Sequence, residues 1–375
     1  MERVWLSSPH MGKNELGYVT EAFSTNWIAP LGPNVDAFEK QLVDYLGVLG
    51  AVSLSSGTAA IHLALKMLGV GTGDIVLCQS FTFAASAFPI SYCGATPVFI
   101  DSEKETWNID PSLLELAIKD AIAMGKKPAA IIVVHLYGMP AKMKAILSIA
   151  NQYDIPVIED AAEALGSFYE NKACGSFGKI GILSFNGNKI ITTSGGGALV
   201  CNDDSILRSV RHLSAQAKEP APYYLHKEIG FNYRMSNVCA GIGRGQMEVL
   251  PERIHRRREI FDRYKKEFSS IEGIRFLEEP EGSFSNRWLT TVVFDKEIFG
   301  INKHEELRIS LEKLNIESRP LWKPLHQQPV FEGCKSYLNG VSDELFANGL
   351  CLPSGSNMTN ETQHIVIEQI KKIIS

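Results

Sequence analysis

Residues 51–68 read AVSLSSGTAAIHLALKML. The opening residues form a short β-prone run, and Ile61, Ala64, Leu65 and Leu68 then keep the i, i+3, i+4, i+7 spacing of a buried helical face. Between the two periods lie Ser55, Ser56, Gly57 and Thr58. A strand therefore passes through a polar turn into a helix, and the same alternation continues downstream. DIVLC (74–78), TPVFID (96–101), a helix from DPSLLELAIKDAI (110–122), AAIIVVHLYG (129–138), a helix at AKMKAILSIANQY (141–153) and IPVIED (155–160) follow in order. Continuous apolar strands separated by helices predict a mostly parallel sheet covered on both faces, hence an α/β fold.

The pattern changes after SFNGNKIITTSGGGALVCN (184–202), which reads as two consecutive strands joined by a glycine turn. The charged stretch VLPERIHRRREIFDRYKKEF (249–268) predicts a solvated linking helix. Beyond it, WLTTVVFD (288–295), the helix KHEELRISLEKLN (303–315) and IESRPL (316–321) predict a smaller α+β domain. The expected division is residues 1–249 and 250–375, without a flexible linker.

Composition narrows the function. The 375 residues are 45% hydrophobic, enough for a large core, and 37 basic against 42 acidic residues leave a formal charge of −5. That balance argues against an electrostatic nucleic-acid binder. The seven cysteines are odd in number and form no C-x-x-C pair, which suits reduced core residues better than a disulfide frame or a metal site. With no apolar leader and no run of 18 apolar residues, the expectation is a cytoplasmic protein that neither crosses a membrane nor needs a metal.

In an open parallel sheet, ligands bind beyond the carboxyl ends of the strands, and three features fall there. The turn Ser55-Ser56-Gly57-Thr58 brings hydroxyls and free N–H groups to a helix N-terminus, a seat for phosphate, although S-G-T before a helix is also an ordinary N-cap. Asp160 closes the strand of VIEDAAEALG (157–166), either as the cap of a following helix or as a carboxylate for a protonated ring nitrogen. Lys189, flanked by Ile190 and Ile191, is either one more solvated lysine or a partly desolvated amine that acts as a nucleophile. Together, a phosphate seat, a carboxylate and an imine-forming amine are what pyridoxal 5'-phosphate demands. The G-x-G-x-G of CAGIGRGQ (239–246) lacks the dinucleotide spacing and reads instead as close helix packing.

These residues sit in longer motifs: NWIAPLGPNVDAFE (26–39), SSGTAAIHLAL (55–65), QSFTFAASA (79–87), VIEDAAEALG, SFNGNKIITTSGGG (184–197), GFNYRMSN (230–237) and RPLWKPLHQQP (319–329). In this order, they resemble the DegT/DnrJ type of pyridoxal-phosphate-dependent nucleotide-sugar aminotransferases, of the aspartate-aminotransferase-like fold type I. The resemblance implies that Lys189 is the Schiff-base lysine and proton shuttle, that Asp160 holds the pyridinium proton, and that Phe83 stacks on the ring. It implies that Ser56, Gly57, Thr58 and Ser184 hold the phosphate, that Glu163 lies near the phenolic oxygen, and that Asn232 reaches the phosphate of a neighbouring subunit in a homodimer with shared active sites.

The implied reaction takes an amino group from L-glutamate, through pyridoxamine phosphate, to a nucleotide-linked keto sugar. The motif wording most resembles the branch that aminates C4 of UDP-linked 4-keto-6-deoxy-N-acetylhexosamines, giving bacillosamine-type precursors of bacterial surface glycans. The alternatives are a GDP- or dTDP-linked 3-keto or 4-keto sugar, and a non-catalytic cofactor-binding regulator. Related 3-dehydratases carry histidine where this chain has Lys189. Candidates for the hexose or diphosphate are Asn26, Trp27, Ile28, Arg319, Trp322, Lys323 and His326, although a lone Trp or His is more often structural.

Overall fold

The computed structural model describes residues 2–374. Eight strands form the central sheet: β1 (Gly50–Leu54), β2 (Ile75–Gln79), β3 (Thr96–Ile100), β4 (Ala130–Val134), β5 (Val157–Asp160), β6 (Ile180–Ser184), β7 (Gly197–Cys201) and β8 (Ser336–Tyr337). Their spatial order is β1-β7-β6-β5-β4-β2-β3-β8. From β6 to β8 every neighbouring pair is parallel, whereas β7 runs antiparallel to both β1 and β6.

Both faces are covered, which is why these strands are apolar without alternation. Ile132 of β4 packs with Ile158, Leu63 and Val210 on one face, while Ile131 and Val133 pack with Leu114, Ile118 and Ile146 on the other. The period of two thus divides one apolar run between two cores.

A 32-residue helix, Asn237–Phe268, is capped by Ser236, whose Oγ accepts the Cys239 N–H at 3.2 Å. A Cβ on Gly243 would meet the Phe38 ring at 2.8 Å, and one on Gly245 would meet Glu15 at the same distance. The G-x-G-x-G stretch is therefore a close-packing surface for the helices Glu15–Ser24 and Pro33–Leu46, as its spacing suggested.

The C-terminal part builds a four-stranded antiparallel sheet in the order Ile274–Phe276, Thr290–Phe294, Gly349–Leu352, Arg319–Pro320. Leu307 and Leu311 from one helix, and Val366, Ile367 and Ile370 from another, complete its core. Two further links bind it to the N-terminal part, one through a small three-stranded sheet and one through the large sheet. Phe284 pairs with Phe168, and β8 lies along β3 with Tyr337 opposite Ile100. Residue 250, the expected division, falls inside the continuous long helix.

Candidate active site

The carboxyl ends of β1, β5 and β6 and the start of β7 open on one cleft of about 250 Å³. Reversal of β7 is what brings its glycines to the same end of the sheet. Among the lining residues are Ser56, Gly57, Thr58, Phe83, Asp160, Glu163, Ser184 and Lys189, with Trp288 and Trp322 from the C-terminal part.

At the helix Gly57–Met67 the two readings of the turn coexist. Ser56 is the N-cap, with Oγ accepting the Ala59 N–H at 3.0 Å, and the first-turn N–H groups of Gly57 and Thr58 have no intrahelical acceptor. A Cβ on Gly57 would lie 3.2 Å from that of Ser184, so the β6 hydroxyl sits against the helix terminus. Behind them, a Cβ on Gly197 would lie 2.4 Å from the Gly57 nitrogen, and one on Gly196 would lie 2.2 Å from Thr193 Oγ1. Gly197 therefore serves close backbone approach, whereas Gly196 leaves room for the side chains of Thr193 and Met235. The left-handed residue of the turn is Ser194, at φ +73°.

Asp160 ends β5 and is 5% exposed. No helix follows it: residues 161–166 form turns, so the capping alternative drops out. Its Oδ2 accepts the Ser86 hydroxyl at 2.7 Å and its Oδ1 the Ala162 N–H at 3.2 Å. The preceding residue, Glu159, is fully buried and accepts Phe177, Gly178 and Gly175 N–H groups and His135 Nε2, a knot that secures the loop behind the site.

Lys189 is 13% exposed, held in a turn by its N–H to the Asn186 carbonyl at 3.0 Å. Its Nζ stands 3.7 Å from Glu163 Oε1 and 4.2 Å from the centre of the Trp288 ring. It is the only cation among the residues that line the cleft. Burial pushes the Glu163 carboxyl above its ordinary pKa, and the nearby Lys189 ammonium opposes that shift. The Tyr137 N–H donates to Glu163 Oε2 at 2.6 Å.

The opposite wall is aromatic. Phe83 is 53% exposed and lies 5.3 Å from Trp322. Trp322 stacks on Tyr137 at 6.3 Å, and Tyr137 on Trp288 at 6.4 Å. The Trp322 N–H donates to Tyr137 Oη at 2.9 Å. Sequence reasoning named Trp322 and passed over Trp288, Tyr137 and Ser86. Ser86 lay inside the quoted QSFTFAASA motif, whereas Trp288 showed only as the first residue of a strand.

Several candidates lie outside the lining. Arg319 is exposed and pairs with Glu317 at 2.9 Å, and Lys323 donates to Gln327 at 3.2 Å. His326 spends both ring nitrogens within the fold, on Ser80 Oγ at 2.7 Å and Asp343 Oδ1 at 2.9 Å. Asn26, Trp27 and Ile28 follow the helix Glu15–Ser24, where the Trp27 carbonyl accepts Asn237 Nδ2 at 2.6 Å. Asn232 is exposed on a segment bridged to Ala215.

The cleft suits pyridoxal phosphate by its donor set. The first-turn N–H groups with Ser56, Thr58 and Ser184 would hold a phosphate, Asp160 a cationic ring nitrogen and Phe83 a ring face. When bound, that cofactor supplies the electron sink for the substrate's reacting carbon. Among known proteins, the chain is 53% identical over 371 residues to the provisionally named pyridoxal phosphate-dependent aminotransferase EpsN of Bacillus subtilis (strain 168), covering 98% of this chain and 95% of that one. It is 36% identical to the GDP-perosamine synthase of Escherichia coli O157:H7, with both chains covered in full. Its fold matches that of the Streptococcus pneumoniae protein Spr1654, a provisionally named sugar aminotransferase solved in PLP and PMP forms, with TM-score 0.90 and 26% identity over 99% of this chain and 98% of that one. The model of the DegT/DnrJ/EryC1/StrS aminotransferase family matches residues 9–371. The chain belongs to that family, and it is a pyridoxal phosphate-dependent sugar aminotransferase of fold type I.

Proposed function

We propose that this chain carries the amino group of L-glutamate to the C4 keto carbon of a nucleotide-linked 6-deoxyhexose, with Lys189 moving the proton at the reacting carbon. One observation carries the reading: a nearly buried lysine and Asp160 face a single cleft, which holds no other cation. An amine without a competing cation, beside a carboxylate and a phosphate seat, is arranged for covalent and acid–base work. Glu163, 3.7 Å away, limits where the Lys189 ammonium rests.

Two nucleotides compete. The wording of NWIAPLGP and RPLWKPLHQQP supports a UDP-linked 4-keto-6-deoxy-N-acetylhexosamine. Likeness to a relative named GDP-perosamine synthase supports a GDP-linked sugar. Purified protein given isotopically labelled glutamate and a panel of UDP-, GDP- and dTDP-linked 3-keto and 4-keto sugars decides between them. Amination of no member refutes this choice of substrate class.

The active form we propose is a homodimer in which Asn232 serves the partner subunit's phosphate. Exposure of Asn232 away from the cleft of its own chain supports this. Mixing inactive Lys189→Ala and Asn232→Ala chains then restores activity, because one site of each hybrid is intact. No recovery from a mixture that exchanges subunits refutes the shared site.

A further inference from the structure

We infer that Trp288, from the C-terminal part, is the positioning residue of Lys189: its ring seats the ammonium and its indole N–H tethers the adjoining peptide. The inference rests on Lys189 being the reactive amine. Trp288 is 1% exposed. The Lys189 Nζ stands 4.2 Å from its ring centre, within the range of a cation–π contact, which gains strength in a desolvated site. Its Nε1 donates to the carbonyl of Asn188 at 2.8 Å, and Ser7 Oγ donates to the same carbonyl at 2.8 Å. The peptide that precedes the lysine is thus held by two elements from outside the large sheet.

Trp288 is itself fixed from behind. Its N–H donates to Asn286 Oδ1 at 2.9 Å, and its carbonyl accepts the buried Arg257 guanidinium, which also reaches Ser7 Oγ at 2.9 Å. Asn286 Nδ2 donates to the carbonyls of Glu163 and Leu165, both at 2.9 Å. One short segment, residues 286–288, therefore holds the lysine and the backbone of its carboxylate neighbour together. The charged groups in the lining around the amine are Glu163 and Asp160, and the aromatic face completes the seat that they leave open. Seating the ammonium restrains both its position and its reactivity.

The test is differential acylation of the cofactor-free protein with acetic anhydride, read by mass spectrometry at Lys189 relative to the other lysines. Near neutral pH, Trp288→Leu is expected to raise Lys189 labelling about 3- to 10-fold, and Trp288→Phe, which keeps a weaker ring face and loses the N–H, by about 2-fold. The gain shrinks as pH rises through the ordinary lysine range, because the ring seats only the charged form, whereas simple unmasking would persist there. If Trp288→Leu does not fold, the Trp288→Phe gain and its pH dependence carry the test. Labelling unchanged in the folded variants, or a gain that is independent of pH, overturns the inference. Neither readout depends on amino transfer, so failure here is distinct from failure of the proposed reaction.

Discussion

The two walls of the cleft are built by different rules. The wall at the large sheet is polar and made at strand ends: the Ser56–Thr58 turn, Asp160 and Ser184 each follow or close a strand of one sheet. The facing wall is built on a stack of rings, Trp288, Tyr137 and Trp322, which meet only because the bend before a strand, a 3₁₀ turn and a loop pack together. Backbone topology places the first set, and side-chain packing places the second. The polar wall should accordingly fail by losing chemistry or cofactor, and the aromatic wall by losing structure or control of the amine.

The largest expected effect is at the polar wall. Lys189→Ala should lower amino transfer by on the order of 10³-fold or more while leaving the fold intact, checked by single-turnover assay and circular dichroism. Residual transfer within tenfold of wild type would break the division, since the wall would then hold no essential amine.

Next comes the support of the aromatic wall. Asn286→Ala removes three buried hydrogen bonds, to the Glu163 and Leu165 carbonyls and from the Trp288 N–H. Urea denaturation should show a loss of about 3 kcal/mol.

A smaller change separates backbone from side chain within the polar wall. Gly197→Ala pushes a methyl against the Ser56–Gly57 peptide. Equilibrium dialysis should find pyridoxal phosphate bound about tenfold or more weakly. Unaltered affinity would mean that the turn yields without moving the phosphate seat.

The smallest effect lies between the walls. Because burial outweighs the pull of Lys189, the folded-state pKa of Glu163 lies above its unfolded value. Its contribution to stability is full below the ordinary glutamate value and is lost as pH rises through the folded value. Relative to wild type, Glu163→Gln should gain stability as pH rises above the ordinary glutamate value of about 4, followed by thermal melts in buffers of increasing pH. A difference that does not vary with pH would show that Lys189 fully compensates the burial.

The same division governs what could be read from residues alone. Strand–helix alternation and the position of Asp160 and Ser56–Thr58 at strand ends were legible because hydrophobic period and turn chemistry are local. The glycines at 196 and 197 were legible as special, but their purpose needed the fold: the Ser56–Gly57 backbone lies against Gly197, and the Thr193 and Met235 side chains lie against Gly196. Trp288 was not legible, because a tryptophan opening a strand is what any buried strand offers. His326 is the opposite case: its type suited a diphosphate, and in the fold Ser80 and Asp343 lie at its two ring nitrogens. Motif likeness bridged part of this gap for Phe83 and Trp322, which line the cleft, and did not for Arg319 and Lys323, which do not.

The edge strand β8 has a consequence for how the molecule comes into being. Its partner in the sheet, β3, leaves the ribosome long before residues 336 and 337 exist. Until then, the β3 edge presents unpaired backbone groups, and closing so long a loop is slow relative to local folding. The nascent large sheet therefore waits, exposed, for the last part of translation. Its vulnerability to mispairing is set by the time taken to synthesise residues 202–337, from the end of β7 to β8.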